Sequence, residues 1–182
     1  MIDAVDPGIK LYVRNKHPEG MTQFAAQKTL LFVHGATSPG EATFDFPLEG
    51  LSWMDHIAQR GWDVYLVDVR GYGRSTRPPE MDQPAASNPP IVTTDVAVRD
   101  VGSAIASILQ RRGVSKLSLV GWSWGQSSPE LTRPTTTTRS TTSCSMRLYG
   151  CKPRRPRKLR PSVGRLRCGL AHAGAPASRR TR

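Results

Sequence analysis

Residues 121–125 read Gly-Trp-Ser-Trp-Gly, the pattern G-x-S-x-G, and directly follow a short, mostly apolar run at 116–120. Where a strand turns sharply into a helix at this pattern, the serine hydroxyl is lifted clear of the sheet and can attack an electrophile. The two glycines leave room where the strand and helix backbones crowd each other. The spacing therefore predicts Ser123 as a nucleophile; the alternative is an ordinary serine in a turn.

A second candidate group, His34-Gly35-Ala36, follows the apolar run 29–33. Backbone N–H groups aimed at a developing oxyanion stabilise it, and each donor contributes about 3 kcal/mol to the transition state. The amide of Ala36 and that of Trp124, the residue after Ser123, are the two donors that the chain brings toward such a position. We predict that they form an oxyanion hole.

A third motif, Asp-x-Arg-Gly-x-Gly-x-Ser, occupies residues 68–75. Gly71 and Gly73 resemble part of a dinucleotide-binding loop, but the full G-x-G-x-x-G is absent. We therefore predict no nucleotide site here, and no metal or organic cofactor is implied elsewhere.

The segments that position these motifs alternate between strands and helices. Continuous apolar runs predict buried strands, and apolar side chains on one face predict helices. The predicted elements are an edge strand at 9–14, buried strands at 29–33, 62–69 and 116–121, a helix at 51–59 closed by Gly61, and a helix capped by Thr93 or Thr94 that ends at Gly113. Such strands with helices between them imply right-handed crossovers and a parallel sheet, so the predicted fold class is α/β.

Three motifs follow one another: His34-Gly35, the glycine-rich turn at 68–75, and the sharp turn at 121–125 that carries Ser123, which we call the serine elbow. Taken together, they resemble the α/β-hydrolase superfamily over residues 8–125. The resemblance implies a partial α/β-hydrolase core, a mostly parallel sheet flanked by helices, from an eight-stranded parent with a Ser–acid–His triad. It implies Ser123 as nucleophile and Ala36 and Trp124 as oxyanion donors. A serine at the elbow favours the acyl-transfer members (esterases, thioesterases, amidases and peptidases) over the epoxide-opening and dehalogenating members, which use aspartate there.

The other histidines and tryptophans near these motifs are interpreted as structural. His34 is predicted to shape its loop, because the base of this fold comes last in the chain. His17 and His56 are predicted to lie on the surface or on a helix face. Trp122 and Trp124 are predicted to pack or to line a pocket.

The acid and the histidine of a triad cannot be assigned. Both must follow Ser123 in this fold, and the sequence offers only Glu130, seven residues on, and His172, which no strand or helix pattern frames. A serine without a base is a weakly nucleophilic alcohol. We expect the chain as written to be inactive or barely active.

Charge divides the 182 residues into two portions. Residues 1–125 hold 12 basic and 13 acidic side chains, whereas residues 126–182 hold 14 basic side chains and one acidic, which gives the net +12. Every Trp and Phe lies in the first portion and every Cys in the second. We predict that 8–125 is the N-terminal part of an α/β-hydrolase domain and that 126–182 is a disordered, low-complexity basic tail.

The abrupt change of composition near Gly125 leads to the hypothesis of a reading-frame slip. When the tail is read one base earlier, the codon classes of residues 126–134, 138–140 and 143–148 give a helix of small and apolar residues, a polar turn and a buried strand, as the fold requires after the elbow. The nucleotide sequence tests this hypothesis. The shifted frame should stay open well past codon 182 and supply an acid and a histidine; early stop codons would contradict it.

A second class of function rests on the basic tail. Residues 152–167 contain eight basic side chains and no acidic one, a run that binds phosphate backbones non-specifically. Aromatic residues are not interleaved with it, so neither base stacking nor specific nucleic-acid binding is expected. A solvated tail without such a function is the favoured alternative.

Compartment and partners are expected to be simple. No apolar run approaches the ~18 residues of a membrane span, and the N-terminus has no secretory pattern, so we expect a cytoplasmic protein without a membrane partner. The expected partner is a small-molecule acyl substrate, and the oligomeric state is left open.

Overall fold

The computed structural model describes residues 1–126 and the backbone of residues 142–145. The strands are β1 (Ile2–Asp3), β2 (Lys10–Leu11), β3 (Val13–Lys16), β4 (Thr29–Val33), β5 (Asp63–Val67), β6 (Ser118–Gly121) and β7 (Thr142–Ser145). The α-helices are α1 (Gly40–Phe44), α2 (Trp53–Ala58) and α3 (Thr94–Arg112). Short 3-10 helices lie at Ala26–Lys28, Pro79–Asp82, Ala85–Ser87 and Ser123–Gln126.

Five strands form one sheet in the order β3-β5-β4-β6-β7. β4 pairs in parallel with β5 and β6, and β6 pairs in parallel with β7, while β3 lies antiparallel to β5. The strands β1 and β2 form a separate antiparallel pair. This mostly parallel sheet with helices between its strands confirms the predicted α/β class.

The central strands β4 and β5 are buried at every residue. Because successive side chains of a strand point to opposite faces, each strand supplies two apolar layers. One layer packs against α3, and the other packs against α1 and α2. The continuous apolar runs in the sequence therefore reflect burial on both faces of the sheet.

The carboxyl ends of the three central strands lie side by side, since Val33 is paired with both Val67 and Gly121. The residues after β4, the glycine-rich turn after β5 and the serine elbow after β6 thus leave the same edge of the sheet. In open α/β sheets this edge is the usual place for a binding site.

The predicted helices are confirmed with small shifts of their bounds. α3 begins at Thr94, with the Thr93 side chain accepting a hydrogen bond from the amide of Val96, and it ends at Arg112, followed by the capping residue Gly113, whose φ is +64°. The predicted strand at 9–14 is instead divided: Lys10 and Leu11 pair with β1, and the following residues pair with β5 as β3. The five-residue helix α1 was not predicted, because so short a helix has no apolar periodicity.

Of the predicted basic tail, the structure describes only Gln126 and the backbone of β7, so this prediction otherwise lies outside the described residues. None of the described helices has the length and apolar content needed to cross a bilayer.

Candidate active site

Ser123 lies directly after β6, at the first residue of the 3-10 turn Ser123–Gln126, and its side chain is exposed. Its φ is +52°, a left-handed conformation that residues other than glycine rarely adopt. Such strain persists only where the surrounding structure enforces it, and it is concentrated at functional sites.

The two glycines of the elbow are required by close backbone contacts. A Cβ atom at Gly125 would lie 2.6 Å from the carbonyl oxygen of Val33 and 2.8 Å from that of His34. A Cβ atom at Gly121 would overlap the carbonyl group of Gly125. The crowding that the sequence predicted between the strand and the following turn is therefore present at both positions.

The loop after β4 lies against the elbow. A Cβ atom built on Gly35 would be 3.0 Å from Cβ of Ser123 and 3.2 Å from the carbonyl oxygen of Trp122. The Trp122 amide also donates a 3.0 Å hydrogen bond to the carbonyl of Val33. The predicted nucleophile and the predicted oxyanion loop are thus neighbours in space.

The amides of Ala36 and Trp124 donate no hydrogen bond to any residue that the structure describes. Ala36 is exposed and Trp124 is half-buried. These two amides, which have no partner among the described residues and lie next to an exposed serine, can therefore donate to solvent or to a ligand.

His34 is a structural residue of this loop, as the sequence predicted. Its side chain is fully buried, its Nε2 accepts a 3.1 Å hydrogen bond from the Val69 amide, and its Nδ1 donates to the Gly35 carbonyl at 2.6 Å. Burial lowers the pKa of His34 below its ordinary value of 6.5. With both ring nitrogens engaged and the ring neutral, His34 is not placed to deprotonate Ser123.

The glycine-rich turn is built around the buried carboxyl group of Asp68. That group accepts hydrogen bonds from the amide of Gly40 at 2.7 Å and from the amide of Arg74 at 3.2 Å. A Cβ atom at Gly73 would overlap this carboxylate. Burial raises the pKa of Asp68. The carboxyl group therefore fixes the turn to the start of α1.

Tyr72, in the same turn, has a contact that the sequence analysis missed. Its hydroxyl donates a 2.8 Å hydrogen bond to the carbonyl of Ala36, and its ring lies 4.7 Å from that of His34. Tyr72 and Ala36 are 36 positions apart, and nothing in the local sequence indicates that they meet. An aromatic residue between two glycines of a turn was the only available signal.

The other aromatic and histidine predictions agree with the structure. Trp122 and Trp124 pack against the two apolar layers, one on each side of the sheet, and the Trp124 indole donates to the Thr94 hydroxyl at 3.1 Å. His17 and His56 are exposed. The triad candidates Glu130 and His172 lie outside the described residues.

A cavity of about 430 Å³ lies at the other edge of the sheet, lined in part by Lys16, Asp55 and Gln59. Lys16 pairs with Val64, at the start of β5, so this cavity is remote from Ser123. No group of three metal-ligating side chains occurs among the described residues.

Comparison with known proteins identifies the fold family. Residues 28–125 match the family model described as alpha/beta hydrolase fold. Bifunctional epoxide hydrolase 2 of Sus scrofa is 31% identical over 83 residues, which are 44% of this chain but only 13% of that protein.

Solved structures of epoxide hydrolases are also similar. One from Vigna radiata is 24% identical, with 65% of this chain and 28% of that chain covered and a TM-score of 0.45. One from Solanum tuberosum is 22% identical, with 69% and 32% covered and a TM-score of 0.45. Since the family model spans more than half of the sequence, the chain belongs to the α/β-hydrolase fold family.

Proposed function

We propose that the chain carries the nucleophilic part of a serine hydrolase that cleaves an ester, thioester or amide through an acyl-Ser123 intermediate. The observation that supports it is one juxtaposition: an exposed serine at φ +52° beside two unpaired amides of the described chain, those of Ala36 and Trp124. The matched residues make up 13% of the Sus scrofa protein. The serine-hydrolase activity of a complete enzyme that contains this segment is therefore part of the proposal.

In the proposed acylation, Oγ of Ser123 bonds to the substrate carbonyl carbon, and the carbonyl π electrons move to its oxygen. The two amides donate to that oxyanion. Collapse of the tetrahedral intermediate expels the leaving group and restores the carbonyl, and the serine proton passes to solvent or to a base. Water then attacks the acyl-serine carbonyl and releases the acid.

We propose that this chain acylates Ser123 slowly. No described residue serves as a base for Ser123, since His34 is buried and engaged at both nitrogens. In serine proteases, loss of a triad member leaves acceleration of about 10³–10⁴ over water, from the oxyanion hole and binding alone. An activated ester, whose leaving group needs no proton, is therefore the appropriate probe.

The test is incubation of the full chain with p-nitrophenyl acetate at pH 9, followed by peptide mass spectrometry. We expect acetylation of Ser123, loss of this adduct in Ser123→Ala, and no change in Ser87→Ala, which removes the hydroxyl of an exposed turn serine. Acetylation spread over exposed lysines and serines with none at Ser123 would overturn the proposal.

Epoxide hydrolysis is the second candidate, favoured by the 31% identity to the Sus scrofa protein over 83 residues. The epoxide-opening members of the superfamily use aspartate at the elbow, and this chain has Ser123. Assay with styrene oxide separates the two candidates. Epoxide turnover that Ser123→Ala abolishes would replace the acyl-transfer proposal, and absence of turnover alongside Ser123 acetylation would support it.

A further inference from the structure

We propose that Tyr72 is a positioning residue, whose hydroxyl holds the Ala36 amide in place for an oxyanion. This inference rests on the proposed function of Ser123. Its starting point is the 2.8 Å hydrogen bond from the Tyr72 hydroxyl to the carbonyl of Ala36, which joins the turn after β5 to the loop after β4.

The hydrogen bond from Tyr72 restricts the Ala36 amide because it holds one side of the Gly35–Ala36 peptide bond while a second contact holds the other side. On the N-terminal side, the His34 ring is fixed by the Val69 amide at 3.1 Å. On the C-terminal side, Tyr72 fixes the Ala36 carbonyl. The peptide bond between Gly35 and Ala36 is planar and lies between these two anchors, so they restrict the direction of the Ala36 N–H.

Tyr72 is itself held firmly. Its amide donates to the Val69 carbonyl at 3.0 Å, its carbonyl accepts from the Ser75 amide at 3.0 Å, and its ring packs on that of His34. The side chain is half-buried, and burial raises the pKa of Tyr72 above its ordinary value of 10.0. The hydroxyl therefore remains a donor at the pH of the acylation assay.

The loss of this single hydrogen bond can be separated from the loss of an aromatic ring. Tyr72→Phe keeps the packing against His34 and removes only the bond to Ala36. Tyr65→Phe is the matched control, because it also removes one phenolic hydroxyl, and the charged neighbours of that hydroxyl, Asp63 and Arg112, include no residue of the loop after β4. Tyr65 lies in the middle of β5, where it is paired with Asn15 of β3 and Leu31 of β4.

The experiment measures Ser123 acetylation by p-nitrophenyl acetate in the full chain at several ester concentrations. Complete removal of an oxyanion donor costs about 10²–10³-fold in rate, and a loosened donor costs less, so we expect Tyr72→Phe to lower the limiting rate about tenfold. The half-saturating ester concentration and the unfolding midpoint should stay at the parent values, and Tyr65→Phe should behave as the parent.

A second readout, amide hydrogen exchange of the peptide containing residues 35–38, does not depend on activity. Faster exchange in Tyr72→Phe, but not in Tyr65→Phe, supports the inference. An unchanged limiting rate, a change confined to the half-saturating concentration, or unchanged exchange would overturn it. Absence of acetylation at Ser123 in the parent chain would instead overturn the proposed function, and with it the role of Tyr72.

Discussion

At the scale of single residues, the elbow is specified by backbone contacts. Gly125 faces two carbonyl oxygens, at distances of 2.6 and 2.8 Å from any Cβ placed there. Carbonyl groups of a strand cannot rotate aside as a flexible side chain can, so an added methyl group must displace the turn that carries Ser123. The G-x-S-x-G pattern is therefore a requirement of packing before it is a requirement of chemistry.

Gly125→Ala is expected to lower the free energy of unfolding by about 3 kcal/mol, the upper range for overpacking of a tight site. Urea unfolding followed by fluorescence measures it. Gly102→Ala is the control, because Gly102 lies exposed in α3 with no atom within 4 Å of the added Cβ. That variant should gain about 0.5–1 kcal/mol from helix propensity. Equal effects of the two variants would contradict the packing argument.

The buried imidazole of His34 makes stability depend on pH. Burial lowers its pKa in the folded state below 6.5, while the unfolded chain takes up a proton near 6.5. Its contribution to stability is therefore complete above pH 6.5 and is lost as the pH falls toward the pKa of the folded state. Protonation also converts Nε2 from an acceptor into a donor that faces the Val69 amide.

We expect the free energy of unfolding to fall between pH 7 and pH 5, and His34→Gln to flatten this dependence. Urea midpoints at half-unit pH steps measure the slope. His56→Gln, at an exposed position of α2, should keep the slope of the parent. A parental slope in His34→Gln would show that other groups are responsible.

At the scale of elements, one buried ion pair ties the turn after β5 to α3. The guanidinium group of Arg70 donates to both carboxylate oxygens of Asp100, which is fully buried, and it also contacts Asp6 at 2.7 Å. The Arg70 amide donates to the same Asp100 carboxylate at 3.0 Å. Because breaking a buried pair leaves an uncompensated charge, this contact couples strand, helix and N-terminal segment.

Asp100→Asn is expected to destabilise the fold by about 3 kcal/mol, as found for buried pairs that lose one partner. The exposed pair of Arg77 and Asp82 is the comparison, with side chains 52% and 68% exposed. Asp82→Asn should cost less than about 1 kcal/mol. Chemical denaturation of both variants measures the two changes in the free energy of unfolding. A small change for Asp100→Asn would mean that the ion pair with Asp6 is enough to compensate the charge of Arg70.

The elements could be predicted from sequence where burial or capping determined them. β4 and β5 are apolar because both faces of the sheet are covered, and α3 carries its own cap at Thr93 and its own stop at Gly113. The break in the edge strand at Tyr12 and the short helix α1 depend on contacts with distant residues. The same holds for the hydrogen bond from Tyr72 to Ala36, which only the folded chain brings together.

At the scale of the whole molecule, charge is divided unevenly along the chain. Residues 1–125 are nearly neutral, with 12 basic and 13 acidic side chains, whereas 126–182 carry 14 basic side chains and one acidic. Electrostatic attraction to a polyanion therefore depends on the second portion. Such attraction would not depend on base sequence, since phosphate contacts carry no base information.

Any association of the full chain with duplex DNA is expected to be equal for unrelated sequences and to fall steeply between 50 and 200 mM salt. Fluorescence anisotropy at several salt concentrations measures this. Replacing the eight basic residues of 152–167 by glutamine in the full chain should lower the affinity at every salt concentration. A preference for one duplex over another would contradict the interpretation.

Three hydrogen bonds tie the loop that carries Ala36 to the turn after β5. His34, Ala36 and Gly40 are held by Val69, Tyr72 and Asp68, all in or next to the turn after β5. The elbow after β6 contacts the same loop only through backbone and close packing: the Trp122 amide donates to the Val33 carbonyl, and Gly35 lies against Ser123. A substitution in the turn after β5 can therefore displace the loop without altering the sequence of the elbow, and the two sides of the proposed site can be varied one at a time.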